Sequence, residues 1–161
     1  MGKSLRLILV ASTALVVFAF TAVALAQNPH FIRASASGPA ANGNLSVNFK
    51  IAGLGDNVTL TVTASADATA VYACRNNGGN FPADPKKQEV SGPVSASGQF
   101  TSGRNGQITG SLTLMPPATT LSCPPGQRIV LVSVTYTNVQ VSGGGATESI
   151  PGSFSRTFFI I

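Results

Sequence analysis

A period of two governs most of this chain. Leu45, Val47, Phe49 and Ile51 alternate with Ser46, Asn48 and Lys50; Val58, Leu60, Val62 and Ala64 alternate with Thr59, Thr61 and Thr63. Only an extended strand puts every second side chain on one face, so these segments bury their apolar set as strands of a half-solvated antiparallel sheet. The same rhythm predicts a first, edge strand over 29–36, with Pro29 tolerated at its start. Short strands follow over 68–74, 90–97 and 98–102. A return strand places Ile108, Leu112 and Leu114 inside, and Gly110 on that face marks a bulge or a close approach. Residues 128–141 form the longest candidate. Val130, Val132, Val134 and Tyr136 share one face, while Ile129 and Leu131 make its start apolar on both, as in a central strand. The last strand alternates Phe154, Arg156, Phe158 and Ile160 with Ser153, Ser155 and Thr157. Nothing beyond residue 26 has helical periodicity.

Turn chemistry separates these runs. Gly38–Asn44, Gly53–Asn57, 75–88, the Pro-rich 115–127 and Ser142–Ala146 read as connections. Asn105-Gly106 is the strongest hairpin signal, because a type I′ turn requires positive φ at both central residues. Short strands with frequent turns predict an all-β fold, an antiparallel β-sandwich of eight or nine strands with an immunoglobulin-like architecture and one disulfide. The immunoglobulin label is architectural only. A true immunoglobulin domain has a core Trp between its cysteines and a Tyr two residues before the second. This chain has no Trp, and Tyr72 precedes the first cysteine.

The disulfide expectation rests on compartment. Lys3 and Arg6 begin the chain, Leu7 to Phe20 is almost wholly apolar, and Ala24-Leu25-Ala26 offers small residues where a signal peptidase reads. Residues 1–26 therefore read as a secretory signal, with a domain over 27–161. The competing reading is an uncleaved anchor, since Leu7 to Ala26 is uncharged and long enough to span a bilayer. After cleavage no second span of that length remains, so the mature chain is not expected in a membrane. Cys74 and Cys123 are the only cysteines, and in an exported chain they form a bond. A redox pair would be spaced Cys-x-x-Cys, and a nucleophilic thiol needs an adjacent base.

Six pieces of the chain carry a resemblance. They are Asn28-Pro29-His30-Phe31, Gly53-Leu54-Gly55-Asp56-Asn57, Tyr72-Ala73-Cys74 with Asn76-Asn77-Gly78-Gly79, Val90 to Gly98, Cys123-Pro124-Pro125-Gly126-Gln127, and Ile150 to Phe159. Through them the chain resembles a group of small uncharacterised secreted bacterial proteins, over nearly all of its length after residue 26. The resemblance implies export and a bacterial source; no activity is established for the group.

Charge and chemistry narrow the function. The chain carries ten Lys and Arg against five Asp and Glu, and removing Lys3 and Arg6 leaves eight against five, a net +3. The cations are scattered, without the dense stripe of a nucleic-acid binder. Asp56, Asp67, Asp84, Glu89 and Glu148 fall in separate turns and strand ends, with no motif pairing two of them for acid/base work. His30 is the sole histidine, too isolated for a metal set or a catalytic triad, and no Gly-x-Ser-x-Gly elbow occurs. No catalytic, metal or cofactor site is expected. The expected role is a non-enzymatic secreted binding or structural protein of the bacterial cell exterior, engaging a protein or another cell-surface partner. Binding loops are sought at 76–88 and 116–127, which the disulfide would bring together, with Arg75, Asn76, Asn77, Phe81, Lys86 and Lys87 as candidates. One alternative is self-assembly through the C-terminal edge, Phe158-Phe159-Ile160-Ile161; a second is an unrecognised secreted enzyme.

Overall fold

The computed structural model describes residues 28–161; residues 1–26, read above as a secretory signal, lie outside the described residues. Eight strands form two antiparallel sheets that face each other: β1 (His30–Ser37), β2 (Leu45–Ala52), β3 (Thr59–Asn76), β4 (Lys87–Thr101), β5 (Ile108–Leu114), β6 (Gln127–Gly143), β7 (Ala146–Ile150) and β8 (Phe154–Thr157). One sheet runs β1-β2-β5. The other runs β4-β3-β6, with β7 and then β8 along the far edge of β6. No helix among the described residues is long and apolar enough to cross a membrane.

The alternating segments land as their pattern requires. Leu45, Val47, Phe49 and Ile51 on β2 and Ile108, Leu112 and Leu114 on β5 face Val62, Ala64, Ala66, Ala68 and Ala70 on β3 and Val134, Tyr136, Val139 and Val141 on β6. β6 is central from Ser133 onward, with β3 on one side and β8 and β7 on the other; its apolar start pairs with β3 alone and leaves Ile129 42 % exposed. Gly110 marks a close approach. A Cβ there would lie 2.6 Å from Phe100 Cε1 and 2.7 Å from Phe49 Cζ.

Several boundaries differ from the sequence reading. Residues 59–76 form one strand of 18 residues, longer than the 17 of β6, where two short strands were expected. Likewise 87–101 is one strand across Gly92, Pro93 and Gly98. Pro93 is tolerated because β4 is a sheet edge, where a missing N–H breaks no ladder bond. Asn105-Gly106 does not close a hairpin. β4 pairs with β3 and β5 with β2, so the turn carries the chain from one sheet to the other. Only Gly106 has positive φ there, at 65°. The primed two-residue hairpin is Gly144-Gly145 (φ 61° and 83°), which joins β6 to β7, a strand the sequence reading had omitted. β8 ends at Thr157, so Phe158 and Ile160 lie beyond the strand.

One residue resets the pleat of β6. Tyr136 is buried, but so are Val139 and Val141, an odd-numbered set. Between Thr137, opposite Asp67, and Gln140, opposite Ser65, β6 holds two residues where β3 holds one. This is a β-bulge, with Asn138 at φ 52°. Asn138 Nδ2 donates to Asp67 Oδ2 at 2.8 Å and pins the bulge across the sheet.

Tyr136 is the one large polar-tipped side chain at the centre. It is fully buried, and its hydroxyl donates to Gly43 O at 2.8 Å. Burial, with a smaller contribution from Tyr72, raises its pKa well above the ordinary 10.0; burial raises Tyr72 too. In the unfolded chain both ionise near pH 10, while the folded protein holds their protons to higher pH. Stability present in full below pH 10 is therefore lost as pH rises above it. Urea titrations from pH 8 to 11 should show this decline. Tyr136→Phe should cost about 1–3 kcal/mol at pH 7, because the Gly43 carbonyl loses its partner, and should flatten the alkaline slope.

Candidate functional site

The two ends of the sandwich are built differently. At one end the 53–58 and 102–107 connections clasp each other. Ser102, buried, donates its Oγ–H to Gly55 O at 2.7 Å and accepts from Val58 N at 2.9 Å. The opposite end gathers the longer connections, 38–44, 77–86 and 115–126, with residues 158–161. The disulfide is here. Cys74, fully buried at the end of β3, is bonded to Cys123 in the 115–126 connection, with Cα atoms 5.5 Å apart. The bond ties a strand to a crossover segment; in an antibody domain it would join the two sheets.

Arg75 follows Cys74 and, by strand alternation, points to the other face. Its guanidinium carbon lies 4.6 Å from the Phe159 ring centre and 5.5 Å from that of Phe81. The two rings meet edge to face at 5.6 Å. Arg75 Nε donates to Gly79 O at 2.7 Å, so the cation is held both by its loop and by the rings. Asn76 closes the same loop through its backbone, donating to Asn80 O and accepting from Gly79 N, each at 2.9 Å. Arg128 stands directly opposite Arg75 on β6 and is exposed.

A second set of bonds joins the two long connections. Lys86 Nζ donates to Ser122 O at 2.9 Å, and Asn77 N to Gly126 O at 3.1 Å. Thr119 Oγ1 donates to Gln88 Oε1 at 2.6 Å, Gln88 Nε2 to Thr120 Oγ1 at 3.1 Å, and Tyr72 OH to Pro117 O at 2.8 Å. Lys87 opens β4 opposite Ala73 and is exposed. A cleft of about 240 Å³ opens beside this platform, lined by Ala41, Asn42, Val130, Leu131, Phe158 and Phe159.

All six residues sought from the sequence, Arg75, Asn76, Asn77, Phe81, Lys86 and Lys87, therefore sit at one end with 115–126. The sequence reading did not bring Phe159 or the 38–44 connection to this end. Phe159 had a signal, the apolar C-terminal run, but that run read as a strand. The 38–44 connection was legible as a loop, but not the end of the fold it joins.

The remaining titratable groups are dispersed. His30 is exposed, its Nδ1 2.9 Å from Asn28 O. Asp67 serves the Asn138 bulge, Asp56 lies in the 53–58 crossover, Asp84 in the 77–86 loop, Glu89 on β4 and Glu148 on β7. No group of three or more His, Cys, Asp or Glu able to hold a metal ion occurs among the described residues. Comparison with protein-family models, with curated proteins and with solved structures finds no match to this chain.

Proposed function

We propose that this is a secreted, non-enzymatic binding protein of the bacterial cell exterior, which meets a cell-surface partner through the disulfide end of the sandwich. One observation carries the reading. Arg75, Lys86, Lys87 and Arg128, two aromatic rings and an apolar cleft converge on loops already locked by a disulfide and side-chain bonds. Loops ordered before binding lose little entropy on binding, so such a surface favours recognition. An immunoglobulin-like sandwich serves the same purpose, presenting loops gathered at one end on a rigid frame. The disulfide and the signal-like N-terminus support export.

The test is saturation binding of the fluorescently labelled protein to intact cells of its source. Lys86→Ala/Lys87→Ala should retain the far-UV spectrum and lose affinity at least tenfold, on the order of 1.4 kcal/mol or more. Unchanged affinity in that variant would remove this end from consideration.

Self-association is the second reading, favoured by Ile160, which is 95 % exposed, and by Met115 at 67 %. Phe158 and Phe159 are themselves half-buried against their own chain, so the apolar edge is narrower than the sequence suggested. Light scattering of a chain ending at Phe159 distinguishes the two: self-association through the tail vanishes, whereas cell binding persists.

A further inference from the structure

The outer face of the three-stranded sheet carries a feature separate from the loop end. Arg33 on β1 is directly opposite Lys50 on β2, which in turn is opposite Thr109 on β5. The next row on this face is Ser35, Asn48 and Ser111. Arg33, Ser35, Asn48, Lys50 and Thr109 all line one shallow depression of about 320 Å³. No Asp or Glu occurs in β1, β2 or β5.

Like charges directly opposed across strands are destabilising, since their Cβ atoms lie about 4.5–5.5 Å apart. A bulge directly precedes this pair. The register slips between Phe31, opposite Ile51, and Arg33, opposite Lys50, leaving Ile32 as the extra residue. Ile32 is left 51 % exposed. From Arg33 to Ser37 the register is regular, with Ala34 and Ala36 packed toward the core and Arg33 and Ser35 on the outer face. Continued without the bulge, that register would set Ile32 opposite Ile51; the irregularity leaves Ile32 outside the ladder, while Arg33 shares the outer face with Lys50 by alternation.

We propose that this depression binds an oxyanion, a sulfate, phosphate or carboxylate group. The negative charge offsets the Arg33–Lys50 repulsion, Arg33 supplies a planar donor fork and Lys50 a point charge. Thr109, Ser35 and Asn48 add neutral hydrogen-bonding groups at the rim. The same chemistry is offered by the free ion and by an acidic sugar unit, whose hydroxyls would extend over the Ser35–Asn48–Ser111 row.

The test is amide-resolved NMR titration of the protein with sodium sulfate, sodium phosphate and a sulfated disaccharide, at ionic strength held constant with sodium chloride. Saturable shifts should centre on the amides of Arg33, Lys50, Thr109 and Gly110. Arg33→Gln and Lys50→Gln should each weaken the saturation at least tenfold. In the absence of anion, Lys50→Gln should also raise Tm by about 1–4 °C, as the like-charge pair is removed. Tighter saturation by the disaccharide than by inorganic sulfate assigns the site to a sugar-borne anion. Equal saturation assigns it to the free ion. Shifts that never saturate, that spread evenly over the basic residues, or that persist in both variants overturn the site.

Discussion

Cys74→Ala/Cys123→Ala is expected to lose about 4 kcal/mol of unfolding free energy, with Tm lower by roughly 15 °C. The bond spans 49 residues of sequence, and closing a loop of that length removes about this much free energy from the unfolded ensemble in the chain-entropy model. The closed segment is not local. It contains β4, the sheet-to-sheet crossover and β5, so the unfolded chain gains freedom over both sheets when the bond is cut. Alanine is the right replacement at Cys74, which is fully buried, because serine would bury an extra hydroxyl. Urea titration of the oxidised protein and the double variant measures the loss. The folded variant should also lose amide protection at Asn77 and Cys74, whose N–H groups bond across the loops to Gly126 and Lys86. A loss below about 1 kcal/mol would mean that those bonds, and not the covalent link, organise this end. Cell binding should weaken in the double variant as well, because the proposed surface depends on the same loops.

This dependence explains how much of the molecule was readable in advance. The faces of β2 and β5 followed from alternation alone, since a one-residue slip would turn Phe49 or Leu112 outward. Gly110 was legible in part: a glycine in an apolar phase marks either a bulge or a neighbour too close for a Cβ, and the second is what occurs. Pairing was not legible. Asn105-Gly106 specifies a local turn, but β4 pairs with β3 over fifteen registered positions, and that non-local ladder outweighs a two-residue signal. The pleat reversal at Asn138 was hidden because Thr137-Asn138 reads as polar whichever face it occupies, and the partner Asp67 is 71 residues away. The loop end was legible as far as the cysteines reached. They brought Arg75, Phe81 and Lys86 beside 115–126, whereas Phe159 arrives through β8 docking on β6, which no short-range pattern encodes.

Phe49→Ala should cost about 3–5 kcal/mol, the range for deleting a buried aromatic side chain. Phe49 sits mid-strand in β2, 2 % exposed, with its ring edge to face with Phe100 at 5.1 Å. The pair closes the core between β2 and the edge strand β4, over the space that Gly110 leaves open. Gly110→Ala in the native background should lose about 1–3 kcal/mol by overpacking, because its Cβ would press on both rings. In the Phe49→Ala background one of those rings is gone, and Phe100 can move into the vacated volume. The added methyl then occupies space the first substitution opened, so the double variant should be more stable than the sum of the two losses predicts. A coupling of about 1 kcal/mol or more in that cycle, measured by urea unfolding of all four proteins, places Phe49 and Gly110 in one packing unit. Strict additivity would show that Phe100 alone sets the limit at Gly110 and that the β2 ring is held by its other neighbours.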